Sequence, residues 1–173
     1  MKKNSLKIIA LLVIIVTLIS NFTGCFYISK EDDSKKERTY VVLTSLPEYN
    51  DYDSYMNGVF QDYTIYRKYY YSNVTEADFE GNKYFKKLTN ENMSEFEEYL
   101  INYENWVDSW SDNKDDEVHK AYDFSKEMLK EGNYFYIYDK DVERGDTSWR
   151  VSDYDIYYFD LPSQTLYFMH NNI

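Results

Sequence analysis

The sequence predicts an α+β fold: an antiparallel, tyrosine-rich sheet with one principal amphipathic helix packed on one face. Three observations carry this. Residues 92–110 place Met93, Phe96, Leu100, Tyr103, Val107 and Trp110 at spacings of three and four, a single apolar stripe along a helix. Three β-prone runs follow: YFYIYD (Tyr134–Asp139), YDIYYFD (Tyr154–Asp160) and LYFMH (Leu166–His170). The third is composition. With 21 Tyr, 10 Phe and 3 Trp, the core has to be aromatic. Each such side chain buries about 150–250 Å², and tyrosine's hydroxyl needs a partner or water, which suits half-buried sheet surfaces.

The remaining elements follow in order. TYVVLTS (Thr39–Ser45) is β-branched and reads as a strand stopped by Pro47. EYNDYDSYMNGVF (Glu48–Phe60) mixes turn formers with tyrosines and reads as a loop or irregular helix, whereas DYTIYRKYYYS (Asp62–Ser72) is a long strand. A short helix is expected after Thr75, closing near Gly81. The main helix has Asn92 as N-cap with Glu95 three residues on, a capping-box arrangement, and Glu95, Glu97 and Glu98 favour the positive end of its dipole. SDNKDDE (Ser111–Glu117) is an acidic loop, and Ser125–Lys130 is a short helix ending before Gly132. Leu161-Pro162-Ser163-Gln164 is a hairpin connection, and residues 140–153, with Trp149, form a longer one.

The N-terminal part is of another kind. Lys2, Lys3 and Lys7 precede the apolar run Ile8–Ile19, the charge and hydrophobicity pattern of a secretory signal. An uncleaved transmembrane anchor is the alternative. The strict run spans only about 18 Å as a helix, and extending it to Ile28 approaches the roughly 20 residues a bilayer requires, at the cost of including Asn21. Phe22-Thr23-Gly24-Cys25 resembles the lipobox of bacterial lipoproteins, with phenylalanine where leucine is usual. The resemblance covers residues 1–25. It implies cleavage before Cys25, a thioether-linked diacylglycerol on Cys25, and localisation at the extracytoplasmic face of the cell membrane. Two acyl chains suffice for stable anchoring. On that reading residues 1–24 are a signal peptide, the mixed-charge residues 25–39 a flexible tether, and residues 40–173 a single globular α+β domain.

Charge and chemistry narrow the functions. The formal charge is −12, and removal of residues 1–24, with three lysines and no acid, makes it −15. Such a domain repels nucleic acid and anionic headgroups, so neither is a partner. Cys25 is the sole cysteine, so no internal disulfide can form. Asp139-Lys140-Asp141-Val142-Glu143 alternates acids as a calcium loop does, but Arg144 and Arg150 stand where that loop needs glycine and glutamate. His119 and His170 lack any zinc-ligand spacing, so no metal and no cofactor are implied. There is no G-x-S-x-G elbow, phosphate-binding glycine loop or H-E-x-x-H helix. No catalytic residue is therefore assigned, and an extracytoplasmic hydrolase using His170 or a carboxylate pair is the alternative. Strand alternation puts Phe135, Ile137, Ile156, Leu166 and Phe168 under the helix and leaves Tyr136, Tyr157 and Tyr167 as a candidate binding face. Tyrosine there would stack a glycan or dock an envelope protein; the plainer reading is a surface covered by the 40–85 segment. The expectation is a non-catalytic binding or accessory domain on a lipid anchor.

Overall fold

The computed structural model describes residues 33–59, 62–109, 116–143 and 153–172. Residues 1–24, Cys25 and the start of the expected tether lie outside them, as do Trp110, most of the acidic run after it, and Trp149. Among the described residues six strands form one antiparallel sheet: β1 (Asp51–Val59), β2 (Asp62–Tyr70), β3 (Lys86–Lys87), β4 (Tyr134–Asp139), β5 (Asp153–Asp160) and β6 (Thr165–Asn172), in the order β1-β2-β6-β5-β4-β3. Four helices accompany them: α1 (Asp33–Leu43), α2 (Met93–Ser109), α3 (Glu117–Ala121) and α4 (Lys140–Glu143). The fold is α+β, with α2 as the main helix.

The apolar stripe of α2 does what its spacing requires. Phe96, Leu100, Tyr103 and Val107 are buried and join Tyr66, Phe135, Tyr154, Ile156, Tyr158, Tyr167 and Met169 of the sheet in one cluster. Phe96 meets Phe135 edge-on at 5.3 Å between ring centroids, a geometry that adds to area burial. Tyr103 is fully buried, and its hydroxyl donates to the Ile65 carbonyl at 2.8 Å. The start of α2 departs from the expected capping box. Asn92 turns its side-chain oxygen back to the Thr89 N–H (2.8 Å), and Glu95 accepts from Lys86 instead (3.4 Å). The two short helices expected near Thr75 and Ser125 are single 3₁₀ turns, Glu76–Phe79 and Lys126–Met128. Gly81 (φ 72°) and Gly132 (φ 93°) follow them in the left-handed region that glycine enters without strain.

Two segments contradict the sequence reading. Thr39–Ser45, expected as a strand, lies mostly in α1, and the helix also takes residues 33–39 from the expected tether. Burial explains the outcome. Thr39, Val42 and Leu46 are buried while Tyr40 and Val41 are exposed, a helical period that a strand could not produce. Tertiary burial here overrides the β-propensity of Val41 and Val42. Glu48–Phe60, expected as a loop, contains β1. Among the described residues it is an edge strand with one ladder partner, β2, in unbroken register from Asp51↔Tyr70 to Val59↔Asp62. A strand paired on one side tolerates the polar, turn-prone composition that hides it in the sequence.

The face opposite α2 is also covered. Val42 and Leu46 from the α1 end, with Val74, Phe79 and Phe85, pack on Tyr63, Ile65, Tyr69, Tyr134, Tyr157, Phe159, Leu166 and Phe168. Phe79 stacks flat on Tyr134 at 3.8 Å. Both sheet faces are therefore core.

Two outcomes are expected. Phe96→Ala should cost about 3–5 kcal/mol, the range for deleting a buried phenyl ring, read as a lowered denaturant midpoint. Burial holds the hydroxyls of Tyr103 and Tyr157 well above their ordinary value, and that of Tyr167 is pushed up to about 12. Raised groups leave stability intact below the unfolded pKa of about 10 and remove it as pH rises beyond that. Tyrosinate absorbance should thus appear together with loss of near-ultraviolet dichroism above about pH 10, rather than as independent titrations of a folded chain.

Candidate functional site

The sheet register decides the fate of the expected tyrosine face. Asp160 pairs with Thr165 across the four-residue connection, so Tyr157 faces Phe168, Tyr158 faces Tyr167, and Ile156 faces Met169. Tyr136 and Tyr157 do share a face, with rings 5.6 Å apart and nearly parallel. Tyr167 is on the other side, under α2 with Phe124, whereas Leu166 and Phe168 lie with Tyr157. The expected set placed β6 one residue out of phase, and a slip of one residue exchanges the two faces of a strand. Tyr157 is completely buried and Tyr167 is 7% exposed. Tyr157 and Tyr167 are core residues and Tyr136 is half-buried against one of the clusters, so the three form no common open face.

His170 is in an arrangement that its place in the sequence does not disclose. It lies in β6 opposite Asp155 of β5, and its Nδ1 is 2.7 Å from Asp155 Oδ1. Arg38 of α1 donates from Nε to the other carboxylate oxygen at 2.6 Å. The guanidinium also stacks over the Tyr138 ring, 3.8 Å from its centroid. Beside this group the Thr39 and Tyr157 hydroxyls are 3.3 Å apart. Burial opposes ionisation of Asp155, but His170 and Arg38 outweigh it and hold the carboxyl below its ordinary value. Burial likewise opposes the Arg38 charge, and Asp155 outweighs it. His170 and Asp155 side chains are each 1% exposed. A histidine beside a carboxylate is a general-base geometry, but here both side chains are buried, and Arg38 of α1 takes the second carboxylate oxygen. It is a clasp joining α1 to the centre of the sheet.

The accessible candidate is next to the end of α1. Tyr40, Leu43, Leu46, Pro47 and Tyr49 line a groove of ≈ 660 Å³, with Thr44, Glu48 and Asn50 as its polar members. Tyr49 packs edge-on against Tyr52 (5.9 Å) and Tyr69 (5.0 Å), and Tyr52 stacks on Tyr69 at 5.7 Å. Tyr40 is 67% exposed and Tyr52 51%. A half-buried ring held by its neighbours is a rigid platform, because its rotamer is fixed before any ligand arrives. The sequence signal was present, since EYNDYDSY carries three tyrosines between polar residues; reading it as a plain loop concealed it.

Among the described residues there is no cluster of three or more His, Cys, Asp or Glu side chains able to hold a metal ion. None of the described helices is long and apolar enough to cross a membrane. No family model, curated protein or solved structure matches the chain.

The clasp makes a specific prediction. Asp155→Ala removes the acceptor shared by the buried His170 ring and the Arg38 guanidinium and should destabilise by about 3–5 kcal/mol. Arg38→Ala should cost less, because the removed group was at the partly exposed end of the network. A carboxyl with a depressed folded pKa stabilises above its unfolded value of about 3.9 and loses that contribution as pH falls through the folded one. The denaturant midpoint should therefore drop below about pH 4, and the acid limb should flatten in Asp155→Asn.

Proposed function

We propose that this chain is a lipid-anchored extracytoplasmic protein whose α+β domain binds an envelope component, a glycan in preference to a protein, through the groove at the end of α1. The observation that carries the binding reading is the exposed aromatic groove itself: Tyr40 and Tyr49 offer ring faces, and Thr44, Glu48 and Asn50 supply hydroxyl, carboxylate and amide groups around them. Sugars present apolar C–H faces edged by hydroxyls, so rings with polar neighbours match both parts of that surface. An acidic domain also disfavours anionic polymers, which narrows the ligand to a neutral or cationic glycan.

The anchoring reading rests on Lys2, Lys3, Lys7, the apolar run Ile8–Ile19, and Gly24-Cys25. Cys25 would carry the lipid. Eight residue steps separate it from Asp33, which opens α1, so at full extension the helix starts at most about 28 Å from the anchored cysteine. The groove would then work close to the membrane surface.

Both parts are open to direct measurement. Cys25→Ala should abolish incorporation of labelled fatty acid into the expressed chain, and undiminished labelling would refute the anchor. For the groove, calorimetric titration of the full chain with soluble neutral oligomers of β-1,4-linked N-acetylglucosamine should give saturable binding. Tyr49→Ala should weaken it about tenfold or more, consistent with loss of a stacking platform. Equal affinity in the variant would place binding elsewhere, and absence of binding to wild type would reject the glycan.

A further inference from the structure

The two edges of the sheet are built differently. β3 is two residues long, and both are lysines, Lys86 and Lys87. Short length and lysine are the usual devices that stop an edge from pairing with another chain. β1 is nine residues long and contains neither lysine nor proline. Its side chains on the face away from α2 include Tyr52 and Met56, 51% and 44% exposed, with exposed Ser54 between them. An edge of this length and polarity is a ready template for strand addition.

The hydrogen-bonding direction of β1 can be followed through the register. Tyr71, just past β2, donates its N–H to the Gln164 carbonyl next to β6. Alternate residues of an antiparallel strand point their N–H and C=O groups to opposite sides. Odd residues of β2 therefore face β6 and even ones face β1, and the pairing Tyr70↔Asp51, Arg67↔Ser54 then turns the odd residues of β1 inward. The backbone groups of Tyr52, Ser54 and Met56 point outward from the sheet.

We propose that β1 is a self-association edge, pairing antiparallel with β1 of a second copy of this chain about a twofold axis at Ser54. Charge and side-chain pattern select this occupant and this register. With Ser54 opposite Ser54, Tyr52 lies opposite Met56, twice by symmetry, so each exposed apolar residue of the strand covers the other as a ring–thioether contact. Asp51 lies opposite Asn57, and Asp53 opposite Tyr55. No acid lies directly opposite an acid, and the two Asp53 carboxylates, diagonal across the axis, each accept from the Tyr70 hydroxyl of their own chain. The residues meeting at the join in hydrogen-bonded positions are the three whose backbone groups point outward. The axis runs perpendicular to the sheet, so the two copies keep the same face on the same side. α1, which packs on the face opposite α2, then lies on one side of the joined sheet in both copies.

Disulfide trapping in the full chain tests this. Facing residues of a hydrogen-bonded antiparallel pair have Cα atoms about 5.5 Å apart, within disulfide range. Under mild oxidation, Ser54→Cys should give a covalent dimer on a non-reducing gel, about tenfold or more above wild type and above Asn73→Cys, an exposed control away from β1. Wild type reports any contribution from Cys25. Ser54→Asp places two carboxylates face to face and should raise the dimer dissociation constant at least about tenfold in sedimentation of the detergent-solubilised chain. An equal mixture of Ser54→Asp and Ser54→Lys chains should restore dimers. Trapping at Ser54 no greater than at Asn73, or sedimentation of wild type as a monomer, overturns the proposal. Dimers unaffected by Ser54→Asp also overturn it, because the interface would then lie elsewhere. The groove adjoins β1 through the Tyr49–Tyr52 contact, so the glycan titration is repeated on Ser54→Asp, whose loss of dimer is read separately by sedimentation.

Discussion

The core is made from tyrosine, and a buried hydroxyl is costly without a hydrogen-bond partner; among the described residues most of them find one, the Tyr71 hydroxyl being an exception. That requirement sets where the elements lie. Tyr66 reaches Asp123 at 2.6 Å, Tyr99 reaches Asp139 at 2.7 Å, and Tyr70 reaches Asp53 at 2.6 Å. Tyr158 donates to the Met128 carbonyl and accepts from the Asn133 side chain. Asp123, Met128 and Asn133 lie in connections, so those hydroxyls tie irregular segments to the sheet, whereas Asp53 and Asp139 belong to β1 and β4 and join one regular element to another. A leucine core of the same volume would exert no such pull on the loops.

The buried clasp applies the same logic with charge. Asp155 is in the middle of the sheet, where an unpaired carboxylate would be costly. His170 meets it across β5–β6, and Arg38 reaches it from α1. Arg38 is one of eight charged residues in a run that looks solvated in isolation, KEDDSKKER; its carboxylate partner lies 117 positions later. With that partner and the burial of Val42 and Leu46, the segment becomes a helix on the sheet. The position of the groove follows, since its apolar walls are the last turn of α1 and the residues that lead into β1.

The strongly periodic parts were legible. The α2 stripe, the strand at 62–72, the three later strands and the Leu161–Gln164 connection all show local patterns, and side-chain alternation within β4 and β5 was read with the right faces. Elements whose identity depends on a distant neighbour were not. TYVVLTS carries strand propensity and forms helix, whereas EYNDYDSY carries turn residues and forms a strand with the groove's tyrosines at its start. The tyrosine face failed on relative phase: each strand's alternation was clear, but which side of β6 matched which side of β5 depended on how the hairpin closed. His170 read as an ordinary strand-end residue because Asp155 and Arg38 become its neighbours only in space.

By itself the sequence determined the α+β class, the main helix with its buried face, the aromatic nature of the core and the acidic character of the domain, because each is a sum or a short-range period that survives without knowing the partners. Only the tertiary structure decided that both sheet faces are covered, that α1 exists, that His170 is clasped rather than open, and that among the described residues Tyr40 and Tyr52 are exposed with Tyr49 half-buried beside them. Those outcomes turn on pairings across tens to more than a hundred residues, where one residue of register, or one buried carboxylate, changes which side chains meet.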